Sequence, residues 1–488
     1  MSKRKRKEND IVVTFLGESR NDVTGSSVLV NFCNNNGERR NILIEMGLEQ
    51  SNDIEKDISI NRKMLQQYNK NLIKSIDYIF LLHPHADHVA NLPYLGRNFE
   101  GRVLLPMQSY YATKDIINNS VDINIKNTEN LRSKGSKIRC LYTKQNVLYI
   151  FDKFETVETY KKIKLNDNIE FEFVNSGHVL GGCMLKLWIT KPNNQKKLLI
   201  YTSDMGSMYN NKFQYFVNSR EQITKCNLLI SEATYCDKDR CWTKQEAIDE
   251  RRLLKEDIKQ HLKQGKSILF SAFSFGRTQN LMCMLYDMFK DDKEFDYQII
   301  IEGRLSHKIN ISYTKSLFGE ELEYWKMVNN WKNFKKNCKP EHTKITLKDK
   351  TPKIIISASG FMNSGCIVDY LKEMICNENS VIYITGYCGN DDSIGGQLLN
   401  KEINNVNING QKYKKKCIVN QLKTFSSHIQ YNELISLFKG VECDEIVVHH
   451  CDKNLKSKFI NEVREEFRKI NKNTKIRAIN SNDNIVIL

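Results

Sequence analysis

Apolar positions come in short runs, and run after run stops at a histidine or an acid. Residues 11–17, 27–32 and 41–47 read as three closely spaced strands, the start of an antiparallel or mixed sheet rather than of strict βαβ alternation. Residues 49–75 are polar and helical in part. The apolar run 76–82 is a further strand, closed by His83-Pro84-His85-Ala86-Asp87-His88. Residues 89–95 predict a short helix broken by Pro93, residues 103–105 a strand, and residues 106–135 carry helical spacing. The period-two strand 169–174 stops at Asn175-Ser176-Gly177-His178, and the strand 198–202 stops at Ser203-Asp204-Met205-Gly206, with 183–189 a strand between them. From residue 228 the texture changes. A charged helix over 243–264 leads into the strand 267–273 and a helix opened by Gly276-Arg277-Thr278. Short continuous apolar runs at 297–301, 353–356 and 381–385 then alternate with helical patterns, as in a parallel α/β unit. Past about residue 400 the β-rich text returns, and the run from 445 again ends in His449-His450. The pattern predicts an α/β insert inside a β-rich domain.

The strand ends carry the candidate chemistry. Only ten histidines occur in 488 residues, yet three fall within the six positions 83–88. His83 and His85 are two apart and share one side of an extended segment. Asp87 and His88 are adjacent, point different ways and could serve two centres. Imidazole with carboxylate suits zinc, manganese or iron better than calcium or magnesium. Gathering the other strand ends gives His178, Asp204, and His428 or His450. That donor set suffices for a pair of cations bridged by a carboxylate, an arrangement that activates water and stabilises both oxygens of a phosphodiester displacement. His261, His307 and His342 fit no site, and Arg277 behind Gly276 either meets phosphate or packs.

Composition narrows the class. A chain of 488 residues calls for two or three domains. No apolar run of about eighteen residues marks a membrane span, and the basic tail over residues 1–10 lacks the apolar stretch of a secretory signal. Fourteen cysteines without CxxC pairs fit free thiols in a reducing compartment, cytoplasmic or, in a eukaryote, nuclear. A net charge of +16 favours a polyanionic partner, nucleic acid first.

HPHADH resembles the HxHxDH signature of the metallo-β-lactamase fold, Ser176-Gly177-His178 its third motif and Ser203-Asp204 its fourth. Ser231-Glu232-Ala233-Thr234-Tyr235 is similar to the acidic motif that opens the β-CASP domain. Phe275-Gly276-Arg277-Thr278-Gln279 and Ser357-Ala358-Ser359-Gly360-Phe361-Met362 resemble two further motifs of that domain. Thr424-Phe425-Ser426-Ser427-His428 looks like the SAH motif and His450-Cys451-Asp452 like HGE. The resemblance is to β-CASP nucleases, such as the subunits of the cleavage-and-polyadenylation and Integrator machineries and their prokaryotic relatives. It implies an α/β fold: a metallo-β-lactamase αββα sandwich over 11–234 and 401–488 with a β-CASP domain over 235–400. It implies that His83, His85 and His178 hold one zinc, that Asp87, His88 and His450 hold the other, and that Asp204 bridges them; manganese is the other candidate ion. His450 rather than His449 is the ligand because its separation from His428 matches the family's. Asp87, His428 and Glu232 are then the catalytic residues, with His428 donating a proton to the leaving oxygen and Glu232 orienting it. The third strand ends in Glu45 where the family has aspartate.

The function implied is hydrolysis of single-stranded RNA, endonucleolytic or with a 5′ exonuclease mode, in a cleft between the two domains. A homodimer or accessory protein would supply specificity, and no membrane is involved. The competing readings are a non-catalytic RNA-binding scaffold, a DNA nuclease, disfavoured by His450, and a small-molecule hydrolase, disfavoured by the insert and the charge.

Overall fold

A computed structural model describes residues 10–18, 22–50, 53–207, 213, 219–360, 362–386, 388 and 393–488. Most of the basic tail expected over 1–10, and Phe361, lie outside the described residues. The chain divides into two compact units, Met1–Cys241 with His428–Leu488, and Trp242–Ser427.

The first unit is built on two seven-stranded sheets. One runs in the order Ile485–Ile487, Val12–Phe15, Val28–Cys33, Arg39–Ile44, Ile76–Phe80, Arg102–Pro106, Phe154–Val157. It is antiparallel through its first strands and parallel from Arg39–Ile44 onward, the mixed sheet that the sequence predicts. The other runs Lys475–Ala478, Glu442–Val448, Lys225–Ser231, Lys196–Tyr201, Cys183–Thr190, Ile169–Asn175, Ile163–Lys164. Val13, Val30, Ile42 and Phe80 of the first sheet share one core with Phe171, Leu185, Leu199 and Val447 of the second, and Phe80 meets Phe171 edge-on at 4.9 Å. On the other face of the second sheet, the helices Tyr431–Gly440 and Lys456–Lys469 pack Leu434, Phe438, Phe459 and Val463. Helix Ile54–Leu65 buries Ile58, Met64 and Leu65, with its first turn capped by the Asp53 carboxylate.

The second unit holds a six-stranded sheet, Phe334–Asn337, Ile299–Glu302, Ile354–Ser357, Ser267–Ser271, Ser380–Ile384, Ile418–Gln421, parallel at every pairing. Strands such as IIIE and IIIS are buried at every residue, as a sheet covered by helices on both faces requires. The expected return to the first domain at 401 does not match this division. Strand Ile418–Gln421 pairs with Ser380–Ile384, and Val406, Ile408 and Cys417 join the apolar cluster of Ile382 and Leu398. Those residues read as β-rich text, but their register and burial tie them to the insert up to Ser427. At the front, the strand Lys225–Ser231 belongs to the first unit and the second begins at Trp242 rather than 235. Among the described residues no helix is long and apolar enough to cross a membrane.

Candidate metal centre

The site lies at strand ends of the first unit because of strand direction. Lys196–Tyr201, Lys225–Ser231 and Glu442–Val448 are neighbours and parallel. Their C-terminal ends therefore share one edge, which gathers Asp204, Glu232 and His450. Ile169–Asn175 is antiparallel to the same neighbour, Cys183–Thr190, as Lys196–Tyr201 is, so it delivers His178 to that edge. From the facing sheet, Ile76–Phe80 leads into His83 and His85, and the helix Ala86–Val89 carries Asp87 and His88. Gly47 makes this approach possible. A Cβ there would sit 1.5 Å from the Asp87 carbonyl oxygen, so only a residue without a side chain lets the two segments touch.

Four residues, His83, His85, His178 and Asp204, bring one donor atom each within 4.8 Å of one another, and so do Asp87, His88 and His450. Asp204 faces both groups. Its Oδ2 lies 3.5 Å from His83 Nε2 and 3.6 Å from His178 Nε2. Its Oδ1 lies 3.5 Å from His88 Nε2 and 3.5 Å from His450 Nδ1. Asp87 Oδ2 is 3.6 Å from both His88 Nε2 and His450 Nε2. Asp87 and His88 sit in one helical turn and group together with His450.

The donor set fits divalent cations. Donors arranged tetrahedrally at ~2.0–2.1 Å from an ion stand ~3.4 Å apart, close to the separations found here. Among the described residues, His83 Nε2, His88 Nε2, His450 Nε2 and Asp204 Oδ1 are buried without hydrogen-bond partners, an arrangement that is costly in an apolar interior and is relieved by a cation. His178 Nε2 faces His85 Nδ1 at 3.2 Å. Burial, with nearby imidazoles, pushes the His85 ring down to about 3 and His178 well below its ordinary value, so both are the neutral form a metal needs. Burial works against charge on Asp204, yet His450 and His88 hold its carboxylate well below the usual range.

Behind the donors stand residues that spacing did not reveal. Glu45 is fully buried and accepts from His88 Nδ1 at 2.7 Å, the Tyr201 hydroxyl at 2.9 Å and the Ser203 hydroxyl at 2.6 Å. Thr234 Oγ1 lies 3.0 Å from His450 Nδ1. Glu45 was legible as an acid at a strand end, whereas Tyr201 and Thr234 looked like ordinary strand and loop residues. His449 packs away from the donors, its ring 5.0 Å from Tyr201 and 5.7 Å from Phe15.

His428 stands beside the donors, its ring 4.5 Å from that of His178. Its Nδ1 is 3.3 Å from both oxygens of Glu232. Glu232 is held in turn by the Met205 and Thr234 backbone amides at 2.5 and 3.2 Å. Burial acts to lower the His428 pKa, but the Glu232 carboxylate outweighs it and raises the value above the ordinary one. Glu232 also comes within donor reach of Asp204 and His450. His85, Asp87 and His428 are half-buried while His83, His88, His178, Asp204 and His450 are buried. In the second unit, Arg277 is buried over the Phe425 ring at 5.2 Å.

Comparison with known proteins matches residues 36–229 to a metallo-beta-lactamase superfamily domain and residues 278–398 to the Beta-Casp domain. Endoribonuclease ysh1 of Schizosaccharomyces pombe is 23% identical over 393 residues, covering 78% of this chain and 47% of that protein. An RNase J-like protein of Methanocaldococcus jannaschii is 25% identical over 386 residues, covering 77% of this chain and 82% of that one. Integrator complex subunit 11 of Danio rerio is 22% identical over 478 residues, 94% of this chain and 72% of that one. The chain spans about half the length of the ysh1 relative. A crystal structure of a protein of unknown function from Enterococcus faecalis V583 shares the fold, with a TM-score of 0.54 and 14% identity over 98% of this chain and 100% of that one.

Proposed function

We propose, for a chain that belongs to the β-CASP family of metallo-β-lactamase-fold hydrolases, the hydrolysis of phosphodiester bonds in single-stranded RNA with two bound zinc ions. The observation that carries this reading is Asp204, whose two oxygens face two separate sets of histidines at 3.5–3.6 Å. His83, His85 and His178 would hold one ion and Asp87, His88 and His450 the other, with Asp204 between them. When bound, the pair supplies a hydroxide nucleophile near neutral pH and neutralises charge on the phosphoryl oxygens.

The chain's own residues do the remainder. Glu232 accepts from His428 Nδ1–H and favours the imidazolium, which leaves Nε2–H to protonate the departing 3′-oxygen. Water adds at phosphorus, the P–O3′ bond breaks, and the products are a 5′-phosphate and a 3′-hydroxyl. The RNA substrate is supported by the endoribonuclease names of relatives and by the +16 charge. No disulfide joins the cysteines, which suits a reducing cytoplasmic or nuclear setting.

The test pairs metal analysis with cleavage of end-labelled single-stranded RNA bearing a 5′-monophosphate or triphosphate. Two zinc ions per wild-type chain and internal cleavage that chelator abolishes are expected, and Asp204→Asn should lose both the ions and the cleavage while keeping its circular dichroism. A wild-type chain without metal, binding RNA but not cutting it, would make this a scaffold instead.

A further inference from the structure

We infer that Cys226 and Cys443 form a redox-active dithiol, a site at which a peroxide reversibly closes a disulfide between the two chain segments of the first unit. These thiols take no part in the metal centre, and the inference stands apart from the function proposed above.

Strand register places the pair. Lys225–Ser231 and Glu442–Val448 run parallel, and Cys226 is the register partner of Cys443. Neighbouring strands stand about 4.7–4.9 Å apart, inside the ~4.4–6.8 Å between Cα atoms that a disulfide spans. Both side chains lie on one face of the sheet: Cys226 belongs to the apolar cluster of Leu434 and Phe459, and Cys443 packs against that cluster.

The two sulfurs differ in their surroundings. Cys226 is buried, whereas Cys443 is half-buried and reaches solvent. The Lys472 ammonium donates to the Lys439 and Val441 carbonyls, which fixes a cation beside Cys443. The Cys226 thiol, Lys472 and the Thr474 hydroxyl hold Cys443 below its ordinary pKa, against burial and Asp444. The hydrogen bond to Cys443, with burial, pushes Cys226 up. Cys226 therefore keeps its proton and donates it toward a Cys443 thiolate. A thiolate beside a cation and within reach of solvent is the reactive kind of cysteine. Cys236 and Cys451 make the contrast: their sulfurs are 3.6 Å apart, but both residues are buried.

Oxidation takes two steps. The Cys443 sulfur attacks one oxygen of hydrogen peroxide, the O–O bond breaks and hydroxide leaves, which takes up a proton to become water. Cys226 then attacks the Cys443 sulfenic acid: the S–S bond forms, the S–O bond breaks, and water departs with the Cys226 proton. The two thiols lose two electrons and the peroxide gains them. The new bond joins the segments on either side of the Trp242–Ser427 unit. Cys226 lies six residues before Glu232 and Cys443 seven before His450. At ~3.3 Å per residue that is about 20 Å, which keeps the bond away from the metal donors.

The test treats the intact chain with a small excess of hydrogen peroxide, blocks free thiols with N-ethylmaleimide and maps the unreduced tryptic peptides by mass. A linked Cys226–Cys443 peptide pair that dithiothreitol releases is expected. Cys226→Ser should stop at a sulfenic acid on Cys443 that dimedone traps, and Cys443→Ser should leave Cys226 unoxidised, each with the circular dichroism of wild type. Alkylation of both Cys226 and Cys443 at a dose that oxidises the exposed Cys376 would overturn the inference. So would a Cys236–Cys451 link formed in place of the expected one, or dimedone on Cys226 in Cys443→Ser. The wild-type peptide map decides the matter even where a serine variant fails to fold.

Discussion

His428 sits against the donors without being needed to complete either set, and that position predicts its phenotype. His428→Ala should lower kcat by ~10²–10⁴-fold, the usual contribution of a placed acid, and keep the metal content of wild type. Glu232→Gln should do the same more mildly. A fall in bound metal in that variant would instead make Glu232 a ligand, which its reach to Asp204 and His450 allows. Away from the centre, Glu49 has a titration of its own. Burial beside Glu18, Asp22 and Asp57 pushes its carboxyl up to about 7 from 4.5, against the Thr24 hydroxyl that it accepts at 2.6 Å. The fold thus favours the protonated form. Its stabilisation is complete below the unfolded-chain value and is lost as pH rises through about 7. Glu49→Gln should remove about 1–2 kcal/mol of that decline, after allowance for solvent screening, in urea unfolding followed from about pH 5 to pH 8. Identical pH profiles for the two proteins would refute it.

Among the elements, the edge strand Ile418–Gln421 and the hairpin Asn405–Ile408 with Gln411–Lys414 decide where the second unit ends. The strand completes the sheet beside Ser380–Ile384, and the hairpin, a two-stranded sheet of its own, packs Val406 and Ile408 into its apolar cluster. A fragment spanning 242–427 should therefore fold cooperatively, whereas 242–400 should expose that strand edge and be protease-sensitive or aggregate. Equal protease resistance of the two fragments would return the boundary to 400. Ile408→Ala in the whole chain, deleting buried methyl groups, should cost about 2–5 kcal/mol in the transition of this unit. The strands of both units were readable in the sequence, since period-two text at 169–174 and continuous apolar text at 297–301 and 353–356 correspond to Ile169–Asn175, Ile299–Glu302 and Ile354–Ser357. Membership of a sheet was not, because a strand such as Ile418–Gln421 reads the same whichever neighbour it pairs with.

At the scale of the whole molecule, 74 basic against 58 acidic residues give a field that draws in polyanions. Affinity for single-stranded RNA should fall at least about tenfold between about 50 and 200 mM salt, and a flat response would mean that the excess charge takes no part in binding. The comparisons assign the chain to its family through two domains that the order of motifs had already indicated. What the sequence alone supplied is the candidate donors, the kind of cation they suit and, through the family resemblance, their expected division. Histidine and aspartate at successive strand ends are a local fact, set by residue type and by the two-residue period of a strand. What only the tertiary structure decided is how close those donors stand and what lies behind them. Parallel strands bring Asp204, Glu232 and His450 to one edge, a helical turn rather than an extended segment keeps Asp87 with His88, and a glutamate 158 residues from Ser203 reaches histidines of both groups. Spacing along the chain carries no record of such contacts, because they depend on which strands lie side by side.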